Sequence, residues 1–390
     1  MRTVPDCRAC SSVIEQEGEI GMQAQGLEVS RKAFFTPERF AREQAQRMTT
    51  PRGRLLIAGC CSGSYLSKRV VERYKELLAE AGSEDDILHL EDIDTRFSDS
   101  ETCVRLPMHV SGCDVFLFQS PFDPTSDRSI DQNYMAFLIA ARTFREHGAN
   151  HVVGVLPYLA YARQDKPTKF TREPSTARLM ADLSTAAGID RLIVWDPHSD
   201  QIRGFYGGMP VNTLESLSLF IDEFGRFRDR EDVIAVAPDA GASKFVTHFG
   251  RALDLKCAIA SKYRTRPEEV TIAEIIGDFE GKRIAIVLDD MISIGGTTDA
   301  LIRKLVEEKG IEEVYLGVSH NLCVGKAHER LSDLHANHRL KQVVVTNSIP
   351  QTKQFEDLPF VSVRCLSDVL SRTINRIHYN QSVSEVFYRP

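Results

Sequence analysis

The sequence lacks the features that mark membrane-spanning and exported proteins. It contains no apolar run of about 18 residues or more, the length that crosses a bilayer as a helix. Its first residues, MRTVPDCRACSSVIEQEGE, contain no apolar stretch of the kind found in secretory signals. We therefore expect a protein that makes no use of a membrane.

An excess of positive charge is also missing. The chain carries 48 Lys and Arg against 55 Asp and Glu, for a formal net charge of -7. Proteins that bind nucleic acid generally show a basic excess, so we expect no nucleic-acid partner. A local basic site for a phosphorylated small molecule remains compatible with this balance.

Paired cysteines with metal-binding spacing are scarce. The nine cysteines are an odd number and lie scattered along the chain, which is typical of reduced thiols in a cytoplasmic protein. Cys7 and Cys10 form a CxxC, but a zinc site would need a second pair nearby, and a redox motif would lie near a βαβ pattern. We predict neither role and expect a cytoplasmic location.

What the sequence does contain is a regular alternation of strand-like and helix-like segments from Arg54 onward. Residues 1–53 have mixed charge, Gly and Gln, and are predicted to form a partly disordered N-terminal extension. Helical stretches over 67–82 and 176–188 separate short apolar runs, which are RLLIAG (54–59), DVFLFQ (114–119), HVVGVLP (151–157), RLIVWD (191–196), DVIAVAPD (232–239), CAIAS (257–261), RIAIVLDD (283–290), EVYLGVSH (313–320) and QVVVTNS (342–348). Such runs favour strands buried on both faces of parallel sheets, and hence an α/β fold.

Polar residues follow several of these runs at the point where a strand would end. The segments are WDPH (195–198), PD (238–239), SKYR (261–264) and DD (289–290). Ligands of open parallel sheets bind beyond the carboxyl ends of the strands. A single acid there is often a helix N-cap, but four such strand ends together predict a binding site.

The segment 287–305, VLDDMISIGGTTDALIRKL, combines acids with a glycine-rich turn. Backbone N–H groups of a Gly-Gly-Thr-Thr turn that opens a helix can bind a phosphate, and adjacent carboxylates can accept hydrogen bonds from sugar hydroxyls. The pattern indicates a site for a sugar phosphate. A tight strand-to-helix turn with a solvated acid pair remains the alternative.

This loop resembles the ribose-phosphate loop of type I phosphoribosyltransferases and, more closely, of ribose-phosphate pyrophosphokinases. Further segments resemble the pyrophosphokinase family in its own order, namely RFSDSET (96–102), YARQDK (161–166), TREPSTARLMADL (171–183), WDPHSDQIRGFY (195–206), APDAGASK (237–244), SKYRTRP (261–267), VVVTNSIPQ (343–351) and SVSEVF (382–387). The resemblance covers about residues 54–390. It implies two tandem type I phosphoribosyltransferase-like domains over 54–214 and 215–365, each a mostly parallel sheet flanked by helices, with a C-terminal helix (366–390) joined to the first.

The resemblance also implies an activity. A member of this family would transfer the pyrophosphoryl group of Mg-ATP to the anomeric hydroxyl of ribose 5-phosphate, giving 5-phosphoribosyl 1-pyrophosphate and AMP. It would need Mg²⁺ and would assemble as dimers built into a hexamer. Because little covalent chemistry falls to the protein in phosphoryl transfer, its residues would mainly align the substrates and neutralise charge.

The family's functional residues can be carried over one by one onto matching positions. Lys262 and Arg264 would be catalytic, within a stretch that is a flexible loop in the family. His198 and Asp239 would bind magnesium. ATP would contact Phe97, Asp99, Glu101, Arg163, Gln164 and His198, the first three reaching in from a neighbouring subunit. The ribose phosphate would contact Asp289, Asp290, Ser293, Ile294, Gly295, Gly296 and Thr297.

Two positions depart from the family pattern. Ser293 and Ile294 stand where most members have Asp-Thr, and Ile294 replaces a hydroxyl with a branched apolar side chain beside the phosphate. Three alternatives therefore stay open, which are transfer to a ribose with a larger 5-substituent, a catalytically weak regulatory paralogue, and a phosphoribosyltransferase. The last would need only one such domain and no segment like RFSDSET.

Overall fold

The computed structural model describes residues 41–42, 45, 48–168, 170–266 and 269–386. Almost all of the N-terminal extension predicted over 1–53, with Cys7 and Cys10, lies outside these residues. The chain divides into two compact units, Met1–Gln46 and Arg47–Pro390. The elements given below all belong to the second unit.

A mostly parallel sheet forms the first half of this unit. The strands before residue 215 are β1 (Thr49–Thr50), β2 (Gly53–Gly59), β3 (Leu88–Leu90), β4 (Asp94–Arg96), β5 (Thr102–Val104), β6 (Cys113–Phe118), β7 (His151–Leu156), β8 (Arg191–Trp195) and β9 (Val211–Leu214). Seven of them form one sheet in the order β1-β2-β6-β7-β8-β9, with β3 paired to β2. Only the β1–β2 pair in it is antiparallel. Strands β4 and β5 form a separate antiparallel hairpin.

Alternate residues of the first sheet face two different helical layers. On β2, Leu56 and Ala58 join one apolar cluster while Leu55 and Ile57 join the other, as the two-residue period of a strand requires. The helices of this half and the C-terminal helix are α1 (Ser64–Glu80), α2 (Ile130–Glu146), α3 (Thr176–Ala187) and α9 (Ser367–His378), with a 3₁₀ helix over Asp200–Tyr206. A capping box at Ser129 and Gln132 starts α2, and Gly188 in the left-handed conformation ends α3.

A second sheet follows after residue 230. Its strands are β10 (Val233–Ala237), β11 (Lys256–Arg266), β12 (Glu269–Ile276), β13 (Ile284–Ile292), β14 (Glu313–Asn321), β15 (Leu340–Thr346) and β16 (Val361–Arg364). They are ordered β12-β11-β10-β13-β14-β15-β16, and only the β11–β12 pair is antiparallel. The helices of this half are α4 (Leu217–Glu223), α5 (Ser243–Leu253), α6 (Gly296–Lys309), α7 (Ala327–Asn337) and α8 (Lys353–Glu356).

Helices cover both faces of the second sheet as well. Leu301 and Leu305 of α6 pack with alternate strand residues such as Val287 on one face. On the other face, Phe220 of α4 and Phe249 of α5 pack against Ile286 and its neighbours. Because both faces of the sheet are buried, apolar residues occupy successive positions of these strands. The predicted α/β fold with two mostly parallel sheets is confirmed.

The C-terminal helix returns to the first sheet. In α9, Leu370 and Ile374 are buried with Val70 of α1. His378, at the end of α9, places Nδ1 2.8 Å from Oδ2 of Asp114 on β6. The C-terminal helix thus packs with α1 and the first sheet. The domain division at 53, 214 and 365, with the C-terminal helix assigned to the first domain, stays a prediction.

One segment differs from the sequence-based expectation. The predicted strand covers 257–261, and the stretch with Lys262 and Arg264 that follows it is a flexible loop in the resembling family, whereas here the chain from Lys256 to Arg266 is one strand that pairs with β12. β10 is paired with β13 on one side, so its other edge offers unpaired backbone groups to β11. A register irregularity between Ser261 and Lys262 interrupts the ladder.

Candidate active site

The carboxyl ends of β8 and β13 meet through two side chains that the sequence analysis had selected. Nδ1 of His198 lies 2.6 Å from Oδ2 of Asp290. His198 follows β8 of the first sheet, and Asp290 lies near the end of β13 in the second. The hydrogen bond to Asp290 raises the pKa of His198 above its ordinary value. The two sheets therefore share one polar site at this point.

The adjacent carboxyl groups of Asp289 and Asp290 titrate in opposite directions. Burial, together with the neighbouring charge of Asp290, raises the pKa of Asp289 well above its ordinary value. Burial acts on Asp290 too, but the hydrogen bond and charge of His198 outweigh it and hold the pKa of Asp290 below its ordinary value. The two neighbouring carboxyl groups thus differ in pKa because Asp290 has a hydrogen-bond partner in His198 and Asp289 is more deeply affected by burial.

Asp239 follows β10, the strand next to β13. Its Oδ1 accepts hydrogen bonds from the N–H groups of Gly241, at 2.7 Å, and Ala242, at 3.2 Å. Its Oδ2 accepts a hydrogen bond from the ammonium group of Lys262. Although burial works in the other direction, Lys262 and these N–H groups hold the pKa of Asp239 below its ordinary value.

Lys262 reaches this position from β11, immediately after the register irregularity in that strand. Bulges next to active sites commonly redirect a side chain, and here the side chain meets Asp239. Both side chains are about a quarter to a third exposed, at 26% and 30%. The side chain of Arg264 lies outside the described residues, so its predicted catalytic role stays a prediction.

The glycine-rich turn leads directly into helix α6. Gly295 has φ of 73° and ψ of 9°, a left-handed conformation that glycine adopts without strain, and α6 begins at Gly296. The first N–H groups of a helix have no partner within it, so those of Gly296, Thr297 and Thr298 can serve an anion at this end. The strand, turn and helix start predicted for this segment are all present.

Ile294 lies against the segment that follows β14. Its Cγ2 is 3.8 Å from the position that a Cβ would take on Gly325. Its carbonyl oxygen accepts a hydrogen bond of 2.5 Å from Nη1 of Arg330 on α7. The branched side chain is half-buried at this position.

The predicted adenine-binding residues lie on the tip of the β4–β5 hairpin. The N–H of Phe97 donates to the carbonyl of Glu101 at 2.9 Å, and the N–H of Glu101 donates to Oδ1 of Asp99 at 3.0 Å. These bonds close the turn on itself, with Ser100 at φ of 76°. The ring of Phe97 is 51% exposed, an unusual position for a large aromatic side chain.

Arg163 and Gln164 lie in the turn that leads from β7 toward α3. The Gln164 backbone N–H donates to the Tyr161 carbonyl at 2.9 Å, and its side-chain oxygen accepts from Oγ1 of Thr176 at 2.6 Å. Gln164 thus ties this turn to the start of α3. Arg163 is exposed, and its positive charge opposes protonation of His198.

A buried polar network lies behind His198 and joins the two sheets. Oγ of Ser319 on β14 donates to Oδ2 of Asp196, and Oδ1 of Asp196 accepts from the N–H of Ser216 at 3.1 Å. Nε2 of His320 lies 3.0 Å from the Asp196 carbonyl, and its Nδ1 lies 2.8 Å from Oγ of Ser348. Burial raises the pKa of Asp196 and lowers that of His320.

Three residues of this region were not predicted from the sequence, namely Ser319, His320 and Arg330. Ser319 and His320 end the apolar run of β14 in the same way that the selected acids end theirs, so the rule of polar strand ends would have found them. Arg330 is a helical residue whose contact with Ile294 depends on how α7 packs. No local sequence pattern identifies it.

The described residues do not contain a preformed metal-binding site made of several protein side chains. Among residues 48–168, 170–266 and 269–386, no group of three or more His, Cys, Asp or Glu side chains is arranged to hold a metal ion. No helix in these ranges is long and apolar enough to cross a membrane. The seven cysteines within them are all free thiols.

Two family models match this chain. The model described as the N-terminal domain of ribose phosphate pyrophosphokinase matches residues 62–188. The model described as the phosphoribosyl synthetase-associated domain matches residues 231–388. The first match contains strands β3 to β7, and the second contains β10 to β16 with Asp239, Lys262 and the acid pair. Strand β8 and His198 lie between the two matches.

Individual proteins are similar over most of the chain. A ribose-phosphate pyrophosphokinase of Marinomonas sp. (strain MWYL1) is 36% identical over 293 residues, covering 75% of this chain and 89% of the relative. That of Bacillus subtilis (strain 168) is 36% identical over 295 residues, covering 75% and 88%. The crystal structure of phosphoribosylpyrophosphate synthetase from Mycobacterium smegmatis matches with a TM-score of 0.71 at 29% identity, covering 84% of this chain and 99% of that one.

Proposed function

The chain belongs to the ribose-phosphate pyrophosphokinase family, and from that premise we propose that it transfers the pyrophosphoryl group of ATP to ribose 5-phosphate. The anomeric hydroxyl attacks the β-phosphorus of ATP, the bond from that phosphorus to the α-phosphate oxygen breaks, and AMP leaves. One observation carries the proposal, which is that His198 bonds to Asp290 and Lys262 bonds to Asp239 at the ends of the neighbouring strands β13 and β10. Strand β13 also leads into the turn at Gly295.

The acid pair and the turn bind different parts of the sugar phosphate. The N–H groups at the start of α6 take the 5-phosphate, because a helix N-terminus favours an anion. Asp289 and Asp290 take the ribose hydroxyls. Carboxylate oxygens accept hydrogen bonds, so the two adjacent side chains can receive vicinal hydroxyl groups.

The residues present suit magnesium delivered with a nucleotide. Mg²⁺ prefers oxygen ligands, keeps several waters, and commonly binds through one or two protein side chains plus substrate phosphates. Asp239 would supply a carboxylate oxygen and His198 an imidazole nitrogen, and the substrate phosphates and waters would supply the remaining ligands. When bound, the ion would neutralise charge on the transferring phosphates.

Lys262 is the residue proposed to stabilise the transition state. Its ammonium group is held by Asp239, so it is already positioned before a substrate arrives. Charge developing on the oxygens of the transferred group would attract this cation, and preorganised charge is a large contributor to such catalysis. Arg264 is proposed to act with it.

ATP is proposed to bind across two subunits. Phe97 projects from a closed hairpin tip and is 51% exposed, which supports an adenine-stacking role of Phe97, with Asp99 and Glu101, in a neighbouring chain. Arg163, Gln164 and His198 would contact the nucleotide from the other side. This arrangement requires at least a dimer, and dimers assembled into a hexamer in the cytoplasm are the state we propose.

The test is a direct assay of the purified protein. With Mg-ATP and ribose 5-phosphate, we expect AMP and 5-phosphoribosyl 1-pyrophosphate to form, and chromatography detects both products. We expect no product when EDTA removes the metal. AMP formed with a ribosyl compound carrying a larger 5-substituent, but not with ribose 5-phosphate, would replace the proposed acceptor. Absence of AMP with every acceptor would favour a regulatory paralogue.

A further inference from the structure

The segment between β14 and α7 forms a support for the glycine-rich turn. Three consecutive carbonyl oxygens of the turn accept hydrogen bonds from residues 322–330. The carbonyl of Ile292 accepts from the N–H of Leu322 at 2.9 Å, and that of Ser293 accepts from the N–H of Val324 at 3.1 Å. The third bond is made by a side chain, since Nη1 of Arg330 donates to the carbonyl of Ile294 at 2.5 Å.

These hydrogen bonds also set the direction of the N–H groups on the other side of the same peptide units. In a planar trans peptide, the carbonyl of one residue and the N–H of the next point in opposite directions, and the chain contains no cis peptide among its described residues. The N–H groups of Ser293, Ile294 and Gly295 therefore point away from the donors on 322–330. The hydrogen bonds to the carbonyl groups stabilise this orientation.

Arg330 is the one member of this support that a point mutation can remove without touching the backbone. It is half-buried, and its Cδ lies 3.8 Å from the position that a Cβ would take on Gly295. It therefore lies directly over the residue at which the turn becomes helix α6. The peptide it holds, between Ile294 and Gly295, carries the last N–H before the helix.

We propose that Arg330 is a positioning residue for the 5-phosphate, acting through its hydrogen bond to the Ile294 carbonyl. The inference rests on the proposed function, because it assigns the turn to ribose 5-phosphate. Arg330 touches the turn and is not itself a catalytic residue. Its loss therefore weakens binding of the sugar phosphate and leaves binding of ATP, whose residues lie on other elements, unchanged.

The experiment compares four proteins, namely wild type, Arg330→Met, Arg330→Lys and, as a charge-matched control, Arg339→Met at an exposed position just beyond α7. We expect Arg330→Met to raise KM for ribose 5-phosphate by roughly tenfold or more, the scale of losing a hydrogen bond that involves a charged group, with KM for ATP within about twofold of wild type. Arg330→Lys retains a donor and should recover most of the loss. Arg339→Met should match wild type in both constants.

The outcomes separate this inference from the proposed function. An unchanged KM for ribose 5-phosphate in Arg330→Met, or equal increases for both substrates, would overturn the role of Arg330. A wild-type protein that releases no AMP would overturn the proposed function instead. In that case calorimetric titration with ribose 5-phosphate decides the inference, which survives only if wild type binds it and Arg330→Met binds it more weakly. Melting temperatures of all four proteins identify any variant that is simply unfolded.

Discussion

The Nδ1 atom of His198 lies 2.6 Å from Oδ2 of Asp290, and this hydrogen bond joins the end of a strand in one sheet to the end of a strand in the other. The two residues are 92 positions apart in the chain. His198 is proposed to contact metal and nucleotide, and Asp290 the ribose. A single hydrogen bond therefore connects the sites proposed for the two substrates.

The first prediction concerns the titration of His198. Because Asp290 raises the pKa of His198, Asp290→Asn should lower it, and NMR of the imidazole resonances against pH measures the change. The other histidines of the same sample serve as internal controls. An unchanged His198 titration in Asp290→Asn would show that the two side chains do not interact in solution.

The same shift has a defined effect on stability. A raised histidine pKa in the folded state contributes stability that is fully present below the ordinary value of 6.5 and is lost as the pH rises through the folded pKa. The free energy of unfolding of Asp290→Asn should therefore lack this component. Since His198 is 41% exposed, solvent screening keeps the effect small.

The second prediction concerns Lys262. Lys262→Ala should reduce kcat by about 100- to 1000-fold, the scale seen when one electrostatic donor to a transition state is removed. Lys256→Ala is the matched control, since Lys256 lies on the same strand and forms an exposed pair with Asp278 at 2.6 Å. Steady-state rates of AMP release measure both. Equal activity of the two variants would remove Lys262 from the catalytic residues.

The third prediction concerns the fixation of the C-terminal helix. Asp114 is fully buried and pairs with Arg52 at 2.9 Å and with His378 at 2.8 Å. Asp114→Asn should lower the free energy of unfolding by about 3 kcal/mol, because breaking a buried ion pair leaves charge without compensation. Urea denaturation measures this. Asp278→Asn, at an exposed pair, should cost less than about 1 kcal/mol, and a similar loss in both variants would contradict the structural role of Asp114.

The fourth prediction concerns acid stability. Burial lowers the pKa of His320 below the ordinary value of 6.5, so the unfolded chain binds this proton more readily than the folded one. The stability associated with a neutral His320 is fully present above 6.5 and is lost as the pH falls below that value. His320→Asn should reduce the difference in unfolding free energy between about pH 7.5 and about pH 5.5. If His320→Asn showed the same pH-dependent difference in unfolding free energy as wild type, groups other than His320 would be responsible for the acid sensitivity.

Local pattern was sufficient for most of the fold. The continuous apolar runs at 54–59, 151–157 and 283–290 became strands because burial on both faces of a sheet selects such runs. The strand predicted over 257–261 continues to Arg266 in the structure, because the added residues pair with β12. The local pattern of apolar and polar residues does not predict which distant strand a segment pairs with.

Sequence by itself determined the elements and the chemistry of the strand ends. Asp289, Asp290 and Gly295 lie in one short segment of the chain, so the pattern of that segment alone indicated a sugar phosphate, and the family resemblance gave a role to each residue. Only the tertiary structure decided which distant groups meet them. His198 reaches Asp290, Lys262 reaches Asp239 and Arg330 reaches Ile294 because separate strands and helices pack together, and contacts of that kind are set by packing over the whole core rather than by any local run of residues.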